Sequence, residues 1–165
     1  MEDWVEFLEK LSKAGESHPQ SAYSAFVKST QFRWQFVQRT VLGNDGTYND
    51  LKKKIWSRFI PAVLKGPADE HECDLFSLPV RKGGLAVNDP TRTATPFYTT
   101  SRSGAQELVR AIRGGTGLVL GDHLARLGDA RKDAVKMREE NEDALLQGVL
   151  AAFPQDRRRA VERSI

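Results

Sequence analysis

The stretch PQSAYSAFVKSTQFRWQFVQRT, Pro19 to Thr40, decides the fold class. Tyr23, Phe26, Thr30, Trp34 and Val37 recur at the three- and four-residue spacing of one face of an α-helix. Pro19 suits the first turn of that helix, where its missing N–H costs nothing. Phe32 and Phe36 lie beside the stripe. Their placement predicts a helix that is apolar over a wide arc and packed against two neighbours.

The segments on either side follow the same period. Residues 3–14 read as a helix carrying Trp4, Phe7, Leu8 and Leu11, with Gly15 as its stop. Gly43-Asn44-Asp45-Gly46 reads as a turn. A third helix follows, with Leu51, Ile55, Phe59 and Val63 spaced by four and Trp56 and Ile60 widening its face. Pro61 should kink that helix or end its regular hydrogen bonding, and Gly66-Pro67 breaks the chain. Asp69 to Phe76 reads as a short helix with acids early, where the helix dipole favours them.

LPVRKGGLAVNDP, Leu78 to Pro90, comes next. Gly83-Gly84 permits a backbone conformation closed to other residues. Leu85-Ala86-Val87 has no obvious partner strand, so the expectation is a short extended segment near 84–88 packed on helices. Pro90 to Ser101 is expected to be helical with a weak spot at Pro96, and Ser103 to Ile112 helical with Leu108, Val109 and Ile112 inward. Glycines 114, 115, 117 and 121 dilute the pattern into a flexible junction, residues 114–121. Residues 122–152 read as one long helix with a charged middle, and Pro154 opens a basic final helix. The expected fold is therefore mainly α: a helical domain over 3–113, the junction, and a more mobile charged helical tail over 122–165.

The 165 residues suit about one domain, and 39% hydrophobic with 28% charged residues is the balance of a globular chain. No apolar run is long enough to span a bilayer, so no membrane partner is expected. The acidic, amphipathic start MEDWVEFLEK does not read as a secretory signal. Cys73 is the one cysteine, so it forms no internal disulfide. These features point to an intracellular chain, in cytoplasm or nucleus.

The net charge of +3 is unevenly spread. Residues 1–27 carry five acids against two lysines, a charge of −3. Residues 28–65 carry Lys28, Arg33, Arg39, Lys52, Lys53, Lys54, Arg58 and Lys65 against Asp45 and Asp50, a charge of +6. A basic segment interleaved with aromatics suits a nucleic-acid surface, and a solvated helix face looks similar.

The chemistry of an enzyme is harder to assemble. His71 and Cys73 fall on different sides of a helix, and His18 and His123 are distant in sequence, so no zinc set and no nucleophile–base pair is expected. Glu139, Glu140, Glu142 and Asp143 are interspersed with Lys136 and Arg138, which suits i,i+4 pairing. GGTG at 114–117 lacks the lysine and serine of a phosphate-binding loop. RKGG at 81–84 reads either as a phosphate cradle of backbone N–H groups and two cations, or as a turn with solvent-facing cations. In and just before FRWQFVQRT (32–40), Arg33, Arg39 and Lys28 can reach phosphates while the aromatics stay mostly inside. Stacking on bases would need exposed rings. No catalytic residue, metal ligand or cofactor is expected.

PQSAYSAF (19–26), RWQFVQRT (33–40), FIPAV (59–63), ECDLFSLPVRKGGLAVNDP (72–90) and Tyr98–Ser101 follow one another in order. This ordered set resembles the region downstream of the polymerase core in reverse-transcriptase-like proteins of non-LTR retroelements. The adjacent aspartates of that family's metal-binding motif are absent from this sequence. The resemblance thus implies a non-catalytic helical thumb- or connection-like piece. Its partners would be an RNA/DNA template–primer and the polymerase core of the parent polyprotein. It also implies weak, sequence-independent backbone contacts from Lys28, Arg33, Arg39, Lys52, Lys53, Lys54, Arg58, Arg81 and Lys82. The rival readings are a helical protein–protein interaction module and a decayed reading frame with no function of its own.

Overall fold

A computed structural model describes residues 2–43 and 46–165 of the chain. The expected turn at Asn44-Asp45 lies outside the described residues. These residues form helices and no strand. Helix α1 spans Glu2–Ser17. Helix α2 is continuous and has three parts: Pro19–Ala25, a π turn Phe26–Thr30, and Gln31–Thr40. Helix α3 repeats that plan with Asn49–Lys54, a π turn Ile55–Phe59, and Ile60–Leu64. Then come α4 (Glu70–Ser77), a short 3-10 turn (Val80–Lys82), α5 (Pro90–Gly104) and α6 (Gln106–Gly114). The long α7 (Leu120–Ala152) and α8 (Gln155–Ser164) complete the chain.

The two π turns set which residues are buried. In α2 the N–H of Gln31 donates to the carbonyl of Phe26, five residues back. The Thr30 hydroxyl donates to the Ala25 carbonyl at 3.1 Å. A π turn takes more residues than an α turn, so the buried face beyond it shifts along the sequence. Phe26, Thr30, Gln31, Trp34, Gln35 and Gln38 are buried, whereas Val37 is not. Phe32 and Phe36, two residues from Trp34 and so on the opposite side of the helix, face outward, 52% and 67% exposed. The helix does meet the expected neighbours, α1 and the end of α3 through its first part and Pro90–Gly104 through its last, but these two rings face solvent. In α3 the N–H of Ile60 donates to Ile55, again five residues back. Pro61 has no N–H to give, and the wide turn just before it lets the helix continue to Leu64. Likewise α1 does not stop at Gly15 but runs on to Ser17.

The main core lies among α1, α2, α3 and the segment after α4. Leu8, Phe26, Trp34, Leu51, Ile55, Phe59, Ile60 and Val87 form its buried centre. Phe26 and Phe59, one from each π turn, stack with ring centroids 4.5 Å apart. Trp34 packs 5.8 Å from Phe26 and 6.4 Å from Trp4. Each such large side chain contributes about 1.5–3 kcal/mol by leaving water.

The segment Leu85–Asp89 is irregular, with Ala86 in the left-handed region at φ 53°. Backbone groups buried without a sheet need other partners, and α2 supplies them. Tyr23 Oη donates to Leu85 O at 2.7 Å, and Gln31 Nε2 to Ala86 O at 3.3 Å. Gln31 Oε1 accepts from Asn88 N at 3.2 Å, and Gln38 Nε2 donates to Pro90 O at 2.7 Å. The N–H groups of Leu85 and Val87 both donate to Phe76 O, each at 3.1 Å. Gly84 enables this doubling back, because a Cβ there would lie 2.1 Å from Leu78 O.

A second core cluster joins the C-terminal helices to this loop. Leu78, Leu146, Leu150 and Val161 are its buried members, with Leu75, Leu145 and Phe153 packed around them. The far end of α7 and α8 is thus docked on α4 and the Leu78 turn. The opposite end is bare. Leu108, Val109 and Ile112, expected inward, are exposed, as are Val119, Leu120 and Leu124. Helix α6 packs mainly on α5 and α7, and its apolar stripe stays exposed. Among the described residues no helix is long and apolar enough to cross a membrane.

Candidate nucleic-acid interface

The nine cations expected to touch nucleic acid fall into groups with different surroundings. Lys28, Arg33 and Arg39 stand exposed on the outer face of α2. Among the described residues none of the three pairs with a carboxylate. Two of them rest on aromatic rings of neighbouring helices. The Arg33 guanidinium lies 5.2 Å from the centroid of Phe7 on α1, and that of Arg39 lies 5.5 Å from Phe97 on α5. A ring face holds a guanidinium by its quadrupole and leaves the positive charge unneutralised. The sequence adds a reason for the bareness of this face: no Asp or Glu occurs between Glu16 and Asp45.

Helix α3 divides its cations. Lys53 is exposed and forms no ion pair among the described residues. Arg58 is exposed within electrostatic reach of Glu9. Lys54 is bonded to Glu9 of α1, and this hydrogen bond, with the Lys54 charge, holds the Glu9 carboxyl below its usual range. Lys52 lies 2.8 Å from Asp89. Asp89 is 4% exposed and caps α5, accepting from Thr91 N at 2.9 Å and Thr91 Oγ1 at 2.6 Å. Burial pushes the Asp89 carboxyl up, but the bonds from Lys52 and Thr91 outweigh it and hold it below its ordinary range.

Arg81 and Lys82 are neutralised within the chain. Arg81 Nη2 donates to Glu142 at 2.5 Å, with Glu139 at 3.8 Å. Lys82 Nζ lies 2.6 Å from Asp143 and 3.6 Å from Glu142. The side chains of Lys82 and Glu142 are only 13% and 16% exposed. The nearby backbone is equally committed: Lys82 N and Gly84 N donate to Pro79 O, and Gly83 N donates to Val80 O. Those N–H groups close the turn and are not aimed at a ligand. RKGG is therefore a turn that docks α7, and its cations meet carboxylates where a phosphate cradle would leave them free.

The remaining reactive groups do not converge. His71 is exposed and Cys73 half-buried on α4. Burial, then the charges of Asp74, Asp69 and Glu72, push the Cys73 thiol up to about 11, so it stays protonated at neutral pH. Among the described residues no three of His, Cys, Asp and Glu gather as a metal would require. Asp69 and Glu72 form a reciprocal capping box at the start of α4. Glu72 also accepts from Arg157 of α8 at 2.7 Å, which makes these acids structural.

The periodicity missed two things here: the outward turn of Phe32 and Phe36, and the buried bonding of Gln31 and Gln38. The available signal was the glutamine spacing, since Gln31, Gln35 and Gln38 also follow a helical period. Comparison with protein-family models, with curated proteins and with solved structures finds no match to this chain.

Proposed function

We propose that this chain is a non-catalytic module that contacts nucleic-acid backbone without sequence preference, the helical accessory piece of a reverse-transcriptase-like polyprotein. The observation that carries the backbone contact is the outer face of α2. There Lys28, Arg33 and Arg39 keep their charge unpaired, and two of them are propped on rings. Free, positioned cations gain most from phosphate, because each contact releases condensed counterions. Lys53 adds unpaired charge on α3 and Arg58 shares its charge only at a distance with Glu9, while Lys52, Lys54, Arg81 and Lys82 would first have to leave a carboxylate. The retroelement part of the reading rests on the ordered words from PQSAYSAF to LPVRKGGLAVNDP.

The test is a titration of the purified chain against a labelled RNA–DNA hybrid across a salt series. Steep loss of binding with salt, and weaker binding by a Lys28→Gln/Arg33→Gln/Arg39→Gln variant, supports the reading. Absence of binding at low salt overturns it. A second reading, a helical protein–protein module, is favoured by the bare apolar stripe of Leu108, Ile112, Val119, Leu120 and Leu124. Sedimentation that depends on protein concentration, and is abolished by Ile112→Asp with Leu120→Asp, is the result that would favour it.

A further inference from the structure

We propose that the outer face of α2 is a stacking platform for single-stranded nucleic acid, with Phe32 and Phe36 as its rings. This rests on the reading of α2 as a backbone contact and specifies the partner. Phe32 and Phe36 are 52% and 67% exposed, so each offers a ring to solvent that the fold does not use. They stand four residues apart in the regular part of α2, about 6 Å along the helix axis. That is roughly twice the about 3.4 Å per-nucleotide rise of a stacked strand, so the two rings can each take a base of a strand opened from its stack.

The charges around the rings decide between partners. Phe32, Phe36 and Thr40 form one i,i+4 column, Lys28 precedes it in the π turn, and Arg33 and Arg39 flank it. A partner protein's apolar face would meet three cations that form no ion pair among the described residues, and α2 itself carries no carboxylate. A polyanion with exposed π faces meets what it needs at both levels: cations for phosphates and rings for bases. A duplex would offer α2 phosphates but keep its bases stacked away from the rings. The platform therefore favours a single strand over a hybrid of equal charge.

The experiment compares the wild-type chain with Phe32→Ala/Phe36→Ala and with Lys28→Gln/Arg33→Gln/Arg39→Gln. The probes are a labelled 12-nucleotide oligo(dT) and an abasic oligomer with the same number of phosphates. Both rings are exposed, so the phenylalanine variant should keep its fold, which thermal melting followed by circular dichroism checks. The proposal expects wild type to bind oligo(dT) well above the abasic oligomer. It also expects the phenylalanine variant to lose about tenfold per ring on oligo(dT) and nothing on the abasic oligomer. Equal binding of oligo(dT) by wild type and the phenylalanine variant, with loss in the cation variant, overturns the platform and leaves the backbone contact standing. Failure of wild type to bind either probe or an RNA–DNA hybrid overturns both.

Discussion

Two sets of cations in this chain look alike in sequence and differ in the fold. Arg81 and Lys82 sit beside glycines in a loop, an arrangement that suggests an exposed phosphate cradle. The structure instead gives them Glu139, Glu142 and Asp143 of α7 as partners. Lys28, Arg33 and Arg39 lie among aromatics on a helix that could have been core all round. The structure leaves them on a bare face, two of them over rings. The lesson concerns neutralisation. A cation's availability depends on whether a carboxylate from a distant segment reaches it, and 61 residues separate Arg81 from Glu142. Charge counted along the chain cannot distinguish the two cases.

The largest effect should come from breaking the loop that presents Arg81 and Lys82. A Cβ at Gly84 would meet the Leu78 carbonyl oxygen at 2.1 Å and cannot be relieved by a side-chain rotation. Gly84→Ala should cost about 3 kcal/mol or more in urea unfolding, at the upper end for overpacking. A cost below about 1 kcal/mol would mean that the turn is not built as described.

A middling effect is expected at Asp89, whose bond to Lys52 is a third instance of internal neutralisation. Its carboxyl is depressed in the folded state, so its contribution is present above the ordinary carboxylate pKa and is lost as pH falls through the depressed value. Asp89→Ala removes a helix cap and the partner of Lys52, and about 2 kcal/mol of destabilisation is expected at pH 7. The difference between the two proteins' denaturant midpoints should shrink as pH falls below the ordinary carboxylate range. A difference that does not depend on pH through the acid range would contradict the assignment.

The smallest effect on stability sharpens the comparison most. Glu142→Gln with Asp143→Asn removes the main partners of Arg81 and Lys82 on α7. Ion pairs of this partly exposed kind are worth about 1 kcal/mol or less, so the loss should be of that size and vanish in 1 M salt. The same variant should bind an RNA–DNA hybrid several-fold tighter, since Lys82 is released and Arg81 keeps only the 3.8 Å contact with Glu139. Unchanged affinity would show that the cations at 81 and 82 face away from any nucleic-acid surface.

Much of the fold was legible because amphipathic spacing reports burial directly. The stripes through Leu8, Phe26, Trp34, Leu51, Ile55 and Phe59 became the core, and the unpartnered Leu85–Val87 run became a segment packed on helices. What was not legible came from non-local or geometric causes. A π turn changes the phase of a stripe without any marked residue type, which is why Val37 gave way to Gln38. The inward placement of Leu108 and Ile112 failed for a different reason: an amphipathic pattern shows that a face wants cover, not that the chain supplies it. Of the candidate interface, the residue types were legible and the ion-pair partners were not.

The central claim is that α2, not the Arg81-Lys82 turn, meets phosphate. The direct measurement is the slope of log binding constant against log salt for oligo(dT). It would be taken for wild type, for Lys28→Gln/Arg33→Gln/Arg39→Gln and for Arg81→Gln/Lys82→Gln. The account predicts that the slope shrinks by about 2 in the α2 variant, at about 0.7 per contact for a single strand, and is unchanged in the loop variant. A slope that shrinks in the loop variant and holds in the α2 variant would contradict it.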